Sequence, residues 1–291
     1  MRTRTALLCA LLLLSSAPAL AADLIIHDEK SQPESLSVAP DGSLIVGSAS
    51  SPFIYRVAKG ATTATPFIDA SGEPAGTFFL GQLVDAATGT LWACQLTPRP
   101  GTNPATRQTT LRGFDLKTGK DKLRWTLPGD NTTCNDFAVG PDRALYISDT
   151  ANSKLYRLAP GAKVPDLYLE HRLLSGVDGV AFLDGVLYVN SVVFNKLYRV
   201  PVDAAGKPGT PVDIWMDAFV DGPDGMRPAN GKLYVAENRG GKVIELTITG
   251  NTAHVRLLKD GLKVPTAVEP DGSMVWYSER AIGKVASVPV S

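Results

Sequence analysis

The chain alternates short apolar, β-branched and aromatic runs with clusters of Gly, Pro, Asp and Asn, and no useful length of it keeps a helical period. The apolar runs are phased. Six times a leading residue is followed two places later by an apolar one, then by a turn, then by a second run such as Leu44-Ile-Val46 or Leu233-Tyr-Val235. The leading positions are Glu34, Gly81, Asn135, Asp178, Asp224 and Thr266, spaced 47, 54, 43, 46 and 42 residues apart. A four-stranded propeller blade needs about 40–50 residues. Third strands are predicted over Ile54–Val57, Leu155–Leu158, Leu197–Val200 and Val243–Leu246, and fourth strands over Thr65–Ile68, Leu123–Leu127, Leu167–Glu170, Val212–Met216 and Ala253–Leu258.

The sixth unit ends after its third strand, Lys284–Val290, whereas Asp23–His27 is a strand without a unit of its own. Joining the two ends closes a ring and removes an exposed edge. The expected fold is all-β: a six-bladed β-propeller with four-stranded blades, closed by the N-terminal strand joining the last blade, in one domain over residues 22–291. A β-sandwich is the alternative, but it does not explain six phased copies.

The first 21 residues stand apart. Arg2 and Arg4 precede an apolar stretch from Ala6 to Leu14 and an Ala19-Leu-Ala21 cleavage signature, which reads as a secretory signal peptide cut before Ala22. The stretch is too short for a membrane span of about 20 residues. The protein is therefore expected to be exported, periplasmic or secreted. Lysines and arginines match aspartates and glutamates, 29 to 29, and no basic stripe points to nucleic acid. Past the signal two cysteines remain, Cys94 and Cys134. They read equally as a disulfide or as two buried thiols.

In a radial fold the six leading positions meet at one rim of the channel. Glu34, Asn135, Asp178 and Asp224 bring oxygen ligands there; Gly81 and Thr266 complete the circle. Like charges ~4 Å apart cost on the order of 4 kcal/mol per pair at an effective dielectric near 20. A divalent cation offsets this, and with no His or Cys in the set Ca²⁺ is favoured over Zn²⁺, with Mg²⁺ or Mn²⁺ next. Any one such acid taken singly also suits a turn. Asp136 reads first as a turn or strand-edge acid, and otherwise as a partner that supports the rim residues. His27, His171 and His254 fall on outer strands or their ends, away from the rim.

This run of positions resembles the senescence-marker-protein/gluconolactonase (regucalcin-like) family and, more distantly, diisopropyl fluorophosphatase and paraoxonase. The resemblance implies a divalent metal held by Glu34 in Pro-Glu-Ser-Leu, Asn135 in Cys-Asn-Asp, the fourth-blade residue and Asp224 in Gly-Pro-Asp-Gly-Met. It also implies that Asp224 is the catalytic base or nucleophile. Two departures stand out. The fourth-blade residue is Asp178 rather than Asn, and Thr133 occupies the place of a substrate-orienting arginine.

The resulting expectation is a metal-dependent hydrolase of small lactones or related esters. The stretch from Thr97 to Thr109, between the second and third strands of the second unit, is expected to lie over the metal, with Arg99 or Arg107 supplying the missing guanidinium. The alternative is a non-catalytic binding or scaffold propeller with a structural metal. A strictosidine-synthase-like propeller fits less well, because it has no use for four metal-type positions.

Overall fold

The computed structural model describes residues 23–26, 30–99, 101 and 106–290. The signal-peptide reading and His27 lie outside the described residues. The first strand is β1 (Asp23–Ile25). A first meander follows: β2 (Pro33–Val38), β3 (Leu44–Ser48), β4 (Phe53–Val57) and β5 (Thr65–Asp69). Next come β6 (Phe78–Asp85), β7 (Thr90–Pro98), β8 (Arg107–Asp115) and β9 (Asp121–Thr126). The third set is β10 (Cys134–Val139), β11 (Leu145–Asp149), β12 (Lys154–Leu158) and β13 (Asp166–Glu170). The fourth is β14 (Val177–Leu183), β15 (Val186–Ser191), β16 (Lys196–Val200) and β17 (Val212–Met216). The fifth is β18 (Pro223–Ala229), β19 (Lys232–Glu237), β20 (Lys242–Thr249) and β21 (Thr252–Lys259). Last are β22 (Val268–Asp271), β23 (Met274–Glu279) and β24 (Lys284–Pro289).

The fold is all-β and propeller-like. Among the described residues there is no α-helix, only 3₁₀ turns at Arg172–Leu174 and Arg280–Ile282, and no helix long and apolar enough to cross a membrane. Four sheets are separate and four-stranded, and one sheet has eight strands. The eight-stranded sheet is where the structure departs from six independent units. Its two antiparallel meanders, β14–β17 and β18–β21, join through a parallel pairing of Trp215 with Thr252 and Met216 with Ala253. The Trp215 amide donates to the Asn251 carbonyl at 2.9 Å, which satisfies an edge left open elsewhere.

The ends of the chain meet as expected: β1 pairs with β24 through Asp23–Ala286, Leu24–Val285 and Ile25–Lys284. The innermost strands touch in a closed circuit, β2 to β6, β10, β14, β18, β22 and back to β2. Apart from the short β22, their side chains are mostly buried on both faces because neighbouring sheets pack against each, while outer strands such as β9 and β13 are largely exposed. Apolar clusters fill the wedges between sheets; Phe79 and Phe114, edge to face at 6.4 Å, anchor one of them. Burial of each such ring contributes about 1.5–3 kcal/mol.

A disulfide joins Cys94 on β7 to Cys134 on β10, Cα atoms 5.4 Å apart, and decides the cysteine question in favour of the bridge. It ties the second sheet to the third beside Asn135.

Candidate active site

Each of the five long inner strands carries a β-bulge, and each bulge falls on a leading position. Register shifts lie between Pro33 and Leu36, Phe79 and Gln82, Cys134 and Phe137, Val177 and Val180, and Pro223 and Met226. A bulge leaves one residue unpaired and re-aims its side chain. Glu34, Asn135, Asp178 and Asp224 are thereby turned toward the channel. Thr266 differs: it lies two residues before β22, and its hydroxyl donates to the Pro33 carbonyl at 3.2 Å, linking the last unit to the first.

The residues entering the bulges are held by the ends of the second strands. The Asp149, Glu237 and Glu279 carboxylates accept from the Thr133, Asp221 and Lys263 amides, each at 2.9 Å, and the Ser191 hydroxyl donates to the Ser175 carbonyl at 2.6 Å. Glycines let neighbouring bulges close up. A Cβ on Gly81 would stand 1.5 Å from the Asn135 carbonyl oxygen, and one on Gly225 2.6 Å from that of Thr266. Gly81 therefore contributes closeness of packing where other leading positions contribute a side chain.

Glu34, Asn135, Asp178 and Asp224 line one cavity of about 390 Å³. It is completed by Ala49, Phe78, Leu80 and Val192, by Asn238, and by Arg107, Arg239 and Arg280. Asn135 Nδ2 donates to Asp178 Oδ2 at 2.5 Å. Asn238 Nδ2 donates to Asp224 Oδ2 at 2.9 Å, and the Gly225 amide donates to Asp224 Oδ1 at 2.9 Å. Arg280 Nη1 lies 3.2 Å from Glu34 Oε2. Burial pushes the Asp178 carboxyl well above the usual range, helped by the charges of Asp224, Asp136 and Glu34. Burial and then the charge of Glu34 do the same to Asp224, and burial raises Glu34 against the pull of Arg280.

Among the described residues no three Asp, Glu, His or Cys side chains form a preassembled metal cluster. The four leading residues are distributed round the cavity and include an amide. In chemistry the set fits a hard divalent cation: three carboxylates and an amide oxygen, with no thiol and no imidazole among the four.

Three expectations change. The stretch from Thr97 to Thr109 does not leave the sheet at Thr97. It lengthens the β7–β8 hairpin as far as the Pro98–Arg107 pair, so that Arg107 lines the cavity. Arg99 does not; it reaches Asp130 at 2.8 Å. Asp136 is no strand-edge acid. It is buried, and its carboxylate takes both oxygens to Arg227 Nη1 at 2.9 and 3.0 Å. Arg227 also donates to the Gln82 carbonyl at 3.2 Å and faces Glu269 at 3.3 Å, bracing the channel beneath the leading residues. His171 accepts from the Leu173 amide and His254 pairs with Asp217, both away from the cavity.

Arg280, Arg239 and Asn238 were missed from sequence, yet a signal existed. They lie at or just past the turn between the second and third strands of their units, the turn that corresponds to the β7–β8 hairpin carrying Arg107.

No protein-family model matches the chain, and no curated protein matches it in sequence. Solved structures do. A protein assigned as a gluconolactonase superposes with a TM-score of 0.71 at 18% identity, over 94% of this chain and 93% of the other. A luciferin-regenerating enzyme gives 0.68 at 13%, over 92% and 95%. Virginiamycin B lyase from Staphylococcus aureus gives 0.66 at 13%, over 94% and 99%. The chain thus shares the fold of gluconolactonase-like and other propeller enzymes along nearly its whole length.

Proposed function

We propose that this protein is a divalent-metal-dependent hydrolase of lactones or related esters on a six-bladed propeller, the eight-stranded sheet counting as two blades. The observation that carries the reading is the convergence of Glu34, Asn135, Asp178 and Asp224, from four inner strands, on one 390 Å³ cavity. Those four residues would hold the cation, Ca²⁺ before Mg²⁺ or Mn²⁺. When bound, it supplies electrophilic polarisation of a substrate carbonyl. The likeness to gluconolactonase-like propellers agrees with this class of reaction. The Cys94–Cys134 bridge agrees with an exported protein.

The chain's own groups supply the rest. Asp224 accepts the proton of the attacking water. Asn238 and the Gly225 amide fix the orientation of that carboxyl. As the water oxygen bonds to the carbonyl carbon, the ring C–O bond breaks, and the proton returns from Asp224 to the departing alkoxide. Phe78, Leu80 and Val192 give the cavity its apolar lining.

Calorimetric titration of chelator-stripped protein with Ca²⁺, beside Asp224→Ala and Asp178→Asn, tests the reading together with turnover on a lactone and aryl-ester panel. Metal-dependent turnover lost in Asp224→Ala is expected. Tight Ca²⁺ binding without turnover would move the assignment to a binding propeller with a structural metal, and absence of binding to Ca²⁺, Mg²⁺ and Mn²⁺ alike would overturn both.

A further inference from the structure

Three guanidiniums reach the cavity from three different sheets, and two of them are committed. Arg280 pairs with Glu34 at 3.2 Å. Arg239 pairs with Asp221 at 2.9 Å and also donates to the Val192 carbonyl and the Asn195 side chain. Arg107 is different. Among the described residues Arg107, Arg172 and Arg199 have no carboxylate partner, and of these Arg107 alone lines the cavity. Its guanidinium carbon lies 5.2 Å from the centroid of the Phe78 ring, which lines the same cavity. A guanidinium held over a ring keeps its N–H edge free, and that edge matches a carboxylate bidentately.

We propose that Arg107 is a specificity residue that binds a carboxylate on the substrate, so that the ligand class is a small cyclic ester carrying one free carboxylate. The three acids Glu34, Asp178 and Asp224 inside the same cavity select a single charge over a phosphate dianion. Phe78 and Leu80 give the uncharged ring of such a ligand apolar surface within the same cavity. A solvated surface arginine would explain exposure, but not the seat on an aromatic ring within the cavity. The hairpin register Pro98–Arg107 explains the placement: without the extension of β7 and β8, residue 107 would not reach this rim.

The lactone identity of the ligand rests on the hydrolase reading above; the carboxylate contact does not. The test therefore has a binding arm and a turnover arm. In the first, cyclopentanecarboxylate and cyclopentanecarboxamide are titrated calorimetrically into wild type, Arg107→Met and Arg107→Lys, with and without Ca²⁺. Wild type should prefer the carboxylate by about 10- to 100-fold, the worth of a charged hydrogen-bonded pair. Arg107→Met should abolish the preference and Arg107→Lys retain part of it. In the second arm, γ-carboxy-γ-butyrolactone and its carboxamide are compared as substrates, and Arg107→Met should lower kcat/KM for the acid alone. Carboxylate preference without turnover keeps the subsite while the hydrolase reading falls. Equal binding of the two ligands by wild type, binding of neither, or an undiminished preference in Arg107→Met would overturn the proposal.

Discussion

Replacing Arg227 by Met should destabilise the protein by about 3–5 kcal/mol, the usual cost of stripping one partner from a buried ion pair. Arg227 and Asp136 are 7% and 3% exposed, so water cannot take over the lost contacts. The guanidinium holds both Asp136 oxygens, the Gln82 carbonyl and the Glu269 carboxyl, which come from three other sheets. Methionine keeps the apolar stem and removes the charge. Burial already lifts Glu269 to about 7 against the pull of Arg227, so in the variant this group takes up a proton, and the remaining penalty falls on Asp136. At about 2–4 °C per kcal/mol the midpoint of thermal unfolding should fall by on the order of 10 °C. Calorimetry and urea unfolding of Arg227→Met, Asp136→Asn and the double variant measure this. Most of the loss should return in the double variant, since no lone charge is then buried. A single variant within about 1 kcal/mol of wild type would refute the view of Arg227 as the brace of the channel.

Other outcomes follow from the same structure. Gly81→Ala should cost more than about 3 kcal/mol or prevent folding, because its Cβ would meet the Asn135 carbonyl at 1.5 Å; Gly72→Ala, with open space around it, should stay within about 0.5 kcal/mol in the same urea experiment. Glu245 is buried, which raises its pKa, but hydrogen bonds from Arg256 and Lys232 outweigh burial and hold it at about 2. A lowered folded-state pKa gives stability that is present above the unfolded value and lost as pH falls through 4 toward 2, here about 3 kcal/mol. Unfolding of wild type and Glu245→Gln at pH 6 and pH 3 should therefore show a gap that narrows in acid; a constant gap would contradict the assignment. Removing the Cys94–Cys134 bridge, which spans 40 residues, with a double alanine substitution should cost about 4 kcal/mol and leave a protein whose unfolding no longer responds to reductant.

Strand existence was legible in the sequence because apolar runs and turn residues agree locally: β17 falls where Val212–Met216 was expected, and five of the six leading positions fall on bulges. The bulges themselves were not legible, since an extra residue in one strand shows only against the register of its partner. Asp136 was misjudged for a related reason. Its partner Arg227 lies 91 residues away and meets it only once the inner strands close into a circuit. Arg99 and Arg107 could not be told apart by composition; the length of the β7–β8 pairing sends one to Asp130 and the other to the cavity. Merging of the fourth and fifth units depends on two backbone pairs between β17 and β21, and backbone pairing between strands separated by three others has no side-chain signature.

The seam between β1 and β24 has a consequence in time. Its residues, 23–25 on one side and 284–286 on the other, are the earliest and among the latest of the described chain to be synthesised. The first strand must wait, unpaired, while nearly every other strand is made. During that wait β1 can pair with the β24 of a neighbouring finished chain, so crowded nascent chains should exchange some ends. Ring closure is thus the step at which folding competes with assembly, and the local concentration of unfinished chains decides which wins.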